Sequence, residues 1–492
     1  MRRCTLASKS ARLLTILCLA ILRPGSAAAD ATLTTLYNFA GDDGAQPTGR
    51  LIFDKSGALY GTTNIGGAAG SIINGGCVSV SVCGTVFKLA PPKKNGSVWT
   101  HTLLHTFNGN IDGYVPLAGA ISDEAGALYG TASEGPGTGG GTVYKLSPPL
   151  NTGRAWTATV LHIFTGADGI QPYVGSLIFD ELGALYGTTN VGGAYNHGTA
   201  FKLTPPTTSD GLWTETVLHS FAGGVSQGNT GVADGSQPLG GLIFDKSGAL
   251  YGTTVSGGEG ATNGGTVFKL TPPSTVGGVW TETVLHSFIG VEGVEPPAGL
   301  IFDRSGALYG TTQSGALGYG TVFKLTPPAK ADRIWTLTVL HSFTQSEGSP
   351  SYGDLVFGKS GALYGATLFG GTFEHGTVFK LTPPGKPEGV WTETILHSFT
   401  GDDGANPYDG LILDKSGTLY GTTNQGGAHG YGTVFKLAEE MGFAGTPGKA
   451  NCDRESVSVL VRQYGGLNAA AAALGYASVQ AMQEAIMEYC EG

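Results

Sequence analysis

The segment LIFDKSGALYGTT at residues 51–63 decides the fold because close copies of it recur along the chain. Its Leu-Tyr-Gly core occurs seven times, with tyrosines at Tyr60, Tyr129, Tyr186, Tyr251, Tyr309, Tyr364 and Tyr420. Each copy precedes a Gly-rich stretch, a segment like GTVFKLTPP and, in six copies, a segment like WTETVLHSF. Four short segments per repeat, rich in β-branched and aromatic residues, predict four strands. Seven such repeats predict an all-β, seven-bladed β-propeller.

The order of the segments indicates that the repeats close into a ring. The last repeat stops at 432–437 (GTVFKL), and the segment that would complete it, 31–39 (ATLTTLYNF), precedes the first repeat. A linear solenoid would instead have atypical capping repeats at both ends. We therefore expect a propeller over 30–438 in which an N-terminal strand completes the last blade, so that no sheet edge stays open.

Connection lengths distinguish the two faces of this propeller. We label the strands a (GLIFD), b (LYGTT), c (VFKL) and d (VLHSF) from the axis outward. The spacing from Asp54 to Tyr60 recurs in every repeat, with Gly358 replacing the aspartate in repeat six, and the spacing from Lys202 to Trp213 recurs wherever the tryptophan is present. Only the b–c and d–a connections vary in length, and they share one face, which we call the varied face. We expect ligand recognition there, beside the long connections 64–83 and 222–238.

The two best-defined blocks of the repeat also carry a family resemblance. LIFDKSGALYGTT and GTVFKLTPP resemble the GloVer tandem repeats of bacterial surface proteins, and the core D-x-x-G-x-L-Y-G-T is similar to the propeller repeats of two-component sensor proteins. The resemblance covers residues 31–438. It implies a secreted, propeller-like protein, and it names no reaction, so we assign no catalytic residue.

The chain start and the cysteines point to export. Residues 1–29 have Arg2, Arg3 and Arg12 ahead of an apolar run at 13–22, and three alanines directly before Asp30, a pattern typical of a cleaved signal peptide. The apolar run is too short to span a bilayer, and no later segment is long enough, so we expect no transmembrane segment. Four cysteines then remain. Among their three possible connectivities we expect the local one, Cys77 with Cys83 and Cys452 with Cys490.

Residues after the repeats differ from the propeller. We expect 439–451 to be a linker and 452–492 to be a small Ala-rich helical module without assignable chemistry, supported by its disulfide. The net charge is -10 and only 13% of residues are charged. An acidic, lightly charged chain does not favour nucleic acid phosphates, so we expect no nucleic-acid partner. From the chain start and the resemblance we expect a protein that is secreted, periplasmic or on the cell surface. We also expect it to be a monomer.

Two sets of repeated polar residues have structural interpretations. Strand d carries a histidine in six repeats, and on an outermost strand these residues are too far apart for a metal ring, so hydrogen bonding within the fold is favoured. The set is His105, His162, His219, His286, His341 and His397. The lysine of VFKL and the glutamate of WTET, such as Lys202 and Glu215, are spaced for a pair across the c–d hairpin. We predict no metal site and no cofactor.

Candidate ligand-binding residues lie on the varied face and at the axis. Arg50 and Asp354 occupy an inner-strand position that is glycine or serine in the other repeats, and opposite charges there can line the central channel. The acidic residue of D-G-x-x-P falls in the d–a connections and forms a turn or contacts a cation or sugar hydroxyl; the b–c connections add aromatic residues. These further candidates are Asp43, Asp112, Asp168, Asp234, Asp403, Tyr195, Tyr319 and Tyr431.

Evenly repeated polar residues favour binding over catalysis, since catalysis needs asymmetric roles such as a distinct acid and base. The leading hypothesis is a non-enzymatic binding or scaffold propeller for an extracellular glycan or protein. The alternative is a polysaccharide-acting hydrolase or lyase with its site on the same face.

Overall fold

The protein is described from a computed structural model. The described residues are 31–67, 72–73, 76–77, 84–93, 98–109, 111–136, 140–151, 154–208, 211–224, 233–259, 263–275, 277–329, 334–386, 389–439, 452–464, 466–473, 476 and 478–491.

Seven antiparallel sheets form the seven blades of a β-propeller, which confirms the predicted fold. The strands a to d of blades 1 to 3 are Ile52–Phe53, Leu59–Ile65, Thr85–Ala90 and Thr100–Thr106; Ile121–Ser122, Leu128–Ala132, Thr142–Ser147 and Thr157–Ile163; and Ile178–Phe179, Leu185–Thr189, Thr199–Thr204 and Thr214–Ser220. Those of blades 4 to 6 are Ile243–Phe244, Leu250–Thr254, Thr266–Thr271 and Thr281–Ser287; Ile301–Phe302, Leu308–Thr312, Thr321–Thr326 and Thr336–Ser342; and Val356–Phe357, Leu363–Thr367, Thr377–Thr382 and Thr392–Ser398.

Blade 7 is closed by the start of the chain, as the permuted repeat predicts. Its strands a to c are Ile412–Leu413, Leu419–Thr423 and Thr433–Glu439. Its outer strand is Ala31–Asn38, which pairs antiparallel with Thr433–Glu439. Two short pairings lie outside the repeat: Ala45–Pro47 pairs with strand b of blade 1, and Ile72–Ile73 pairs with Gly76–Cys77.

Neighbouring blades are held together by shared hydrophobic clusters. Val267 of blade 4, for example, packs in one cluster with Leu308 and Phe323 of blade 5. Phe323 is fully buried and lies opposite Gly310, where a Cβ atom would be 2.7 Å from the phenylalanine ring. The glycine of Leu-Tyr-Gly therefore makes room for this ring. Burying each such ring contributes about 1.5–3 kcal/mol.

The face formed by the a–b and c–d turns, which we call the fixed face, carries a repeated polar network. In blade 1, Asp54 Oδ1 accepts hydrogen bonds from the N–H groups of Ser56 (2.8 Å) and Ala58 (3.0 Å), forming an Asx-type turn. Asp54 Oδ2 accepts from the Tyr60 hydroxyl and Lys88 Nζ, both at 3.2 Å. Burial raises the pKa of Asp54, but the hydrogen bonds outweigh burial and lower this pKa well below its ordinary value.

The same network links one blade to the next. Lys88 pairs with Tyr60 across strands b and c, and its Nζ lies 4.9 Å from the centre of the tyrosine ring. Trp156 of blade 2 packs edge-on against that ring at 6.5 Å between centroids. Cation–π contacts at such sites contribute about 0.5–1 kcal/mol. The constant turn lengths on this face therefore have a structural reason: they keep each tyrosine in register with its aspartate, its lysine and the next blade.

Blade 6 departs from this arrangement at the place where the ring closes. It has Gly358 instead of the aspartate, and blade 7 supplies no tryptophan because its outer strand comes from the chain start. Glu439 of blade 7 takes the place of the missing carboxylate: it accepts hydrogen bonds from the Tyr364 hydroxyl and Lys380 Nζ, both at 2.5 Å. The Tyr364 ring lies 2.6 Å from where a Cβ of residue 358 would be, so glycine is needed there.

The last described residues form a small helical unit. Its helices are α1 (Cys452–Tyr464), α2 (Leu467–Ala473) and α3 (Val479–Glu491), with a core that includes Leu460 and Met482. The predicted disulfide Cys452–Cys490 is present, with 5.6 Å between the Cα atoms. Cys83 lies outside the described residues, so the bridge to Cys77 stays a prediction. Among the helices that the structure describes, none is long and apolar enough to cross a membrane.

Candidate ligand-binding site

The acidic residues of the d–a connections hold those connections in shape. Nε2 of the strand d histidine lies 2.6–2.9 Å from the following carboxylate in five blades, and His341 lies 3.4 Å from Glu347. Where the chain start supplies strand d, the Tyr37 hydroxyl donates to Asp43 instead. Burial raises the pKa of Asp403, but hydrogen bonds from His397 and Thr400 outweigh it and lower this pKa.

These contacts bear on the five aspartates that we considered as ligand-binding residues. The set Asp43, Asp112, Asp168, Asp234 and Asp403 accepts hydrogen bonds from a histidine or tyrosine and from a backbone N–H group. Five of the six histidines thus have the predicted hydrogen-bonding role, whereas His341 Nε2 makes no hydrogen bond within the described residues. Because all five carboxylates have internal partners, we leave them out of the proposed site.

The predicted lysine–glutamate pairs across the c–d hairpin are wrong. Lys202 is opposite Thr216, and Glu215 is opposite Leu203. In a β-strand, a register difference of one residue turns a side chain to the opposite side of the sheet. Lys202 Nζ therefore lies 3.5 Å from Asp180 on the fixed face. Burial, followed by the nearby charge of Asp168, raises the pKa of Glu215 to about 7.

The three candidate tyrosines of the b–c connections have different surroundings. Tyr195 is 43% exposed. Tyr319 packs against the cluster shared by blades 5 and 6, and Tyr431 packs against the cluster at the ring closure. Of these three tyrosines, Tyr195 is exposed, whereas Tyr319 and Tyr431 are partly buried. The long connections 64–83 and 222–238 lie partly outside the described residues, so their predicted role beside the channel stays a prediction.

The inner strands surround a central channel with a cavity of about 390 Å³. Strand a residues such as Ile52, Ile121 and Ile243 line it, so most of its wall is apolar. Strand a runs from the d–a connection on the varied face to the a–b turn on the fixed face. Arg50 and Asp354, which precede strand a, therefore lie at the end of the channel that opens toward the varied face, and the structure places both in the lining.

The glycines that precede strand a are required by close contact between blades. A Cβ at Gly119 would lie 2.4 Å from the Arg50 carbonyl oxygen, and one at Gly353 would lie 1.7 Å from the Gly410 nitrogen. Backbones of adjacent blades thus touch at this level of the axis. A charged side chain at this level extends into the channel. Arg50 and Asp354, the two charged exceptions to the glycine pattern, therefore meet there.

Three charged groups meet at the channel mouth. Arg50 Nη1 lies 3.3 Å from Asp354 Oδ2, and the Gly299 N–H donates to Asp354 Oδ1 at 2.7 Å. Asp409, which sequence reasoning missed, also lines the cavity; its Oδ1 accepts the Gly410 N–H at 2.6 Å. Within the described part of the chain, the buried Asp409 Oδ2 has no hydrogen-bond partner. Burial, together with the charge of Asp354, raises the pKa of Asp409 to about 7.

Tyrosines form a second group at the same mouth. Tyr352 and Tyr408 stack with 4.8 Å between ring centroids and an interplanar angle of 18°. Burial, neighbouring charges and a hydrogen bond with Tyr173 raise the pKa of Tyr408. Tyr173 and Tyr408 directly follow the proline of D-G-x-x-P in repeats three and seven, and Tyr352 lies two residues after Pro350 in repeat six. The sequence signal for these tyrosines, and for Asp409 next to Tyr408, is that they differ from the residues at the same positions of other repeats.

Comparisons with known folds find other propellers. A protein of unknown function from Dyadobacter fermentans is 12% identical, with 85% of this chain and all of that chain covered and a TM-score of 0.39. The Cps50 (Swd1) propeller domain of Myceliophteria thermophila is 11% identical over 82% and 99% of the chains, with a TM-score of 0.42. The PQQ domain of pyranose dehydrogenase from Coprinopsis cinerea is 11% identical over 84% and 99%, with a TM-score of 0.37. Likenesses at this level carry no argument about activity.

Sequence comparison is more specific. A comparison with curated proteins finds no match. The family model described as the Gloeobacter/Verrucomicrobia repeat matches residues 74–316 and 315–465, which is most of the chain and includes six of the seven Leu-Tyr-Gly copies. Sevenfold repetition of the same blocks, their closure into a propeller and this match agree, and the chain belongs to the Gloeobacter/Verrucomicrobia repeat family.

Proposed function

We propose that this protein is a secreted, non-enzymatic binding propeller that recognises an extracellular glycan on its varied face, at the mouth of the central channel. The observation that carries the proposal is the loss of repeat symmetry at that mouth. Arg50, Asp354 and Asp409 stand at or beside positions where other blades have glycine or serine. They face a cavity of about 390 Å³.

The chemistry of the mouth suits a sugar ring. A saccharide has hydroxyl groups that donate and accept hydrogen bonds and C–H faces that pack on aromatic rings. Asp409 Oδ2 lacks a hydrogen-bond partner within the described residues, and Arg50 has N–H groups beyond the one that faces Asp354. Tyr352 adds an aromatic wall. A largely apolar cavity with a few convergent polar groups is the usual form of a small-ligand site.

The fixed face offers a contrast that supports this choice. Its aspartate, tyrosine and lysine side chains contact one another in blade after blade, as with Asp54, Tyr60 and Lys88. Groups that satisfy one another have little to offer a ligand, because binding would first have to break their hydrogen bonds.

Glycan-array binding of the mature chain 30–492, followed by calorimetry with the strongest hit, tests the proposal. The double variant Arg50→Gly/Asp354→Gly restores the glycine of the other blades and removes both partners of the ion pair. We expect it to fold and to lose at least about tenfold in affinity, since charge-assisted hydrogen bonds contribute about 1.5–3 kcal/mol. The control is Val390→Ser, which changes an exposed side chain at a c–d turn on the fixed face. Unchanged binding by the folded double variant, or no binding on the array, would refute the proposal.

One observation favours a second candidate, a polysaccharide hydrolase or lyase. Burial raises the pKa of both Asp354 and Asp409; the Arg50 charge opposes this rise at Asp354, whereas the Asp354 charge adds to it at Asp409 and the pKa there reaches about 7, so the two carboxyl groups at one mouth have different electrostatic surroundings. Such a difference is what a general acid and its partner carboxylate require. Release of reducing sugars by the mature chain, abolished in Asp409→Asn, would favour this candidate over simple binding.

A further inference from the structure

A second cavity of about 290 Å³ lies on the varied face between blades 5 and 6. Its lining includes Gln313 and Ser349, with polar side chains, and Leu368 and Phe369, with apolar ones. Tyr352 lines this cavity and the central channel alike. The two cavities therefore adjoin at one aromatic ring, and we call the pair the cleft.

Phe369 gives the outer part of this cleft an aromatic surface. Phe369 is 52% exposed. The equivalent positions in the neighbouring repeats, Ser314 and Gln425, are polar. An exposed aromatic ring beside polar side chains offers a stacking surface for a second sugar unit, at a distance from the charged groups of the mouth.

The connection that carries Phe369 is hydrogen-bonded to the d–a connection that leads into blade 6. The Leu368 N–H donates to the Ser349 carbonyl and the Gly371 N–H donates to the Ser346 carbonyl, both at 2.8 Å. A Cβ at Gly348 would lie 1.7 Å from the Phe369 carbonyl oxygen, so the two backbones are in direct contact. A surface fixed in this way before binding loses little conformational entropy when a ligand arrives.

From these contacts, and resting on the function proposed above, we infer that the ligand is an oligosaccharide chain bound by its end. The terminal unit enters the channel, the next unit packs on Tyr352, and a third covers Phe369. The channel side is surrounded by all seven blades and leaves no room for the chain to continue sideways, whereas the Phe369 side is open. The arrangement selects chain ends over chain interiors.

Calorimetry with cello-, xylo- and malto-oligosaccharides of one to six units tests this inference. In at least one series we expect affinity to rise about tenfold from two units to three and then to level off, since covering an aromatic ring is worth about one factor of ten. Phe369→Ala should remove this gain and leave monosaccharide affinity unchanged. Phe373→Ala is the control, since Phe373 is 53% exposed on the same connection and lines neither cavity. At equal sugar mass, the long polymer of the same linkage should bind more weakly than the hexamer because it has fewer ends.

The outcomes separate this inference from the proposed function. If monosaccharides bind, but affinity does not depend on chain length or Phe369→Ala behaves like the control, the extended site is refuted and the channel site stands. Equal binding of polymer and hexamer refutes recognition of chain ends. If no member of the three series binds at millimolar concentration, the extended site is again refuted, and the array result then decides whether any glycan binds at all.

Discussion

Replacing Glu282 by leucine should stabilise the protein at alkaline pH and have little effect at acidic pH. Glu282, in strand d of blade 4, is half-buried, and its Oε1 has no hydrogen-bond partner among the described residues. Burial, followed by the charge of Asp234, raises the pKa of Glu282 from 4.5 to about 8. Blade 5 has Leu337 at the equivalent position, so leucine is already compatible with this environment.

The sign follows from proton binding. Between pH 4.5 and about 8 the folded chain holds a proton on Glu282 that the unfolded chain has lost, so the free energy of unfolding decreases as pH rises through this window. Each unit of pKa difference corresponds to about 1.4 kcal/mol, which gives about 5 kcal/mol for a fully enclosed group. Because solvent reaches part of this carboxyl group, we expect the leucine variant to gain about 2 kcal/mol at pH 8.5.

Urea unfolding followed by tryptophan fluorescence at pH 5, 7 and 8.5 measures the effect. Glu259→Gln is the matched control, because it removes a carboxylate from an exposed position in the same blade. The stability gain of Glu282→Leu over the native chain should grow with pH, while that of the control should not. An equal gain at pH 5 and 8.5, or a loss at pH 8.5, would show that packing rather than protonation governs this position.

Three other predictions concern the ring closure and the helical unit. Glu439→Ala should lower the free energy of unfolding by about 1–2 kcal/mol, as Tyr364 and Lys380 lose their shared carboxylate; Glu439→Gln, which keeps one acceptor oxygen, should lose less, and urea midpoints of the two variants decide this. Deleting 31–38 should leave the edge of blade 7 open and cause association, visible by light scattering; a stable monomer would contradict it. Replacing Cys452 and Cys490 by serine should destabilise the helical unit by about 3–4 kcal/mol, measured by hydrogen exchange in α1 and α3, while exchange in the blades stays unchanged.

Features that depend on spacing along the chain were predictable from the sequence. The six-residue step from Asp54 to Tyr60 spans one tight turn, so both side chains had to meet on one face. The order of the segments was enough to predict that 31–39 completes the last blade. The Asp54–Tyr60 spacing is a local property, and the order of the segments is a topological one. Seven repeats show the pattern clearly even where single residues are substituted.

Exact hairpin register and the contacts between blades were not predictable from one repeat. The Lys202–Glu215 prediction failed because counting along a hairpin does not determine register to a single residue. Glu439 contacts Tyr364 only because two distant segments fill the same gap between blades 6 and 7. Asp409 belongs to the channel because blades 1, 6 and 7 converge at the axis. The contacts of Glu439 and Asp409 follow from the diameter and closure of the ring, and neither property can be read from the sequence of a single repeat.

Ring closure also has a consequence for the order of folding. Within a blade, strands c and d are joined by a hairpin of about 15 residues, whereas Ala31 and Glu439 are about 400 residues apart in the chain. By polymer scaling, joining the distant pair costs about 3 kcal/mol more loop-closure entropy than joining the hairpin. The first strand to be synthesised is therefore the last to find its partner. Moving residues 31–38 behind residue 439 by circular permutation would convert this slow, nonlocal step into a local one and should speed the final phase of folding.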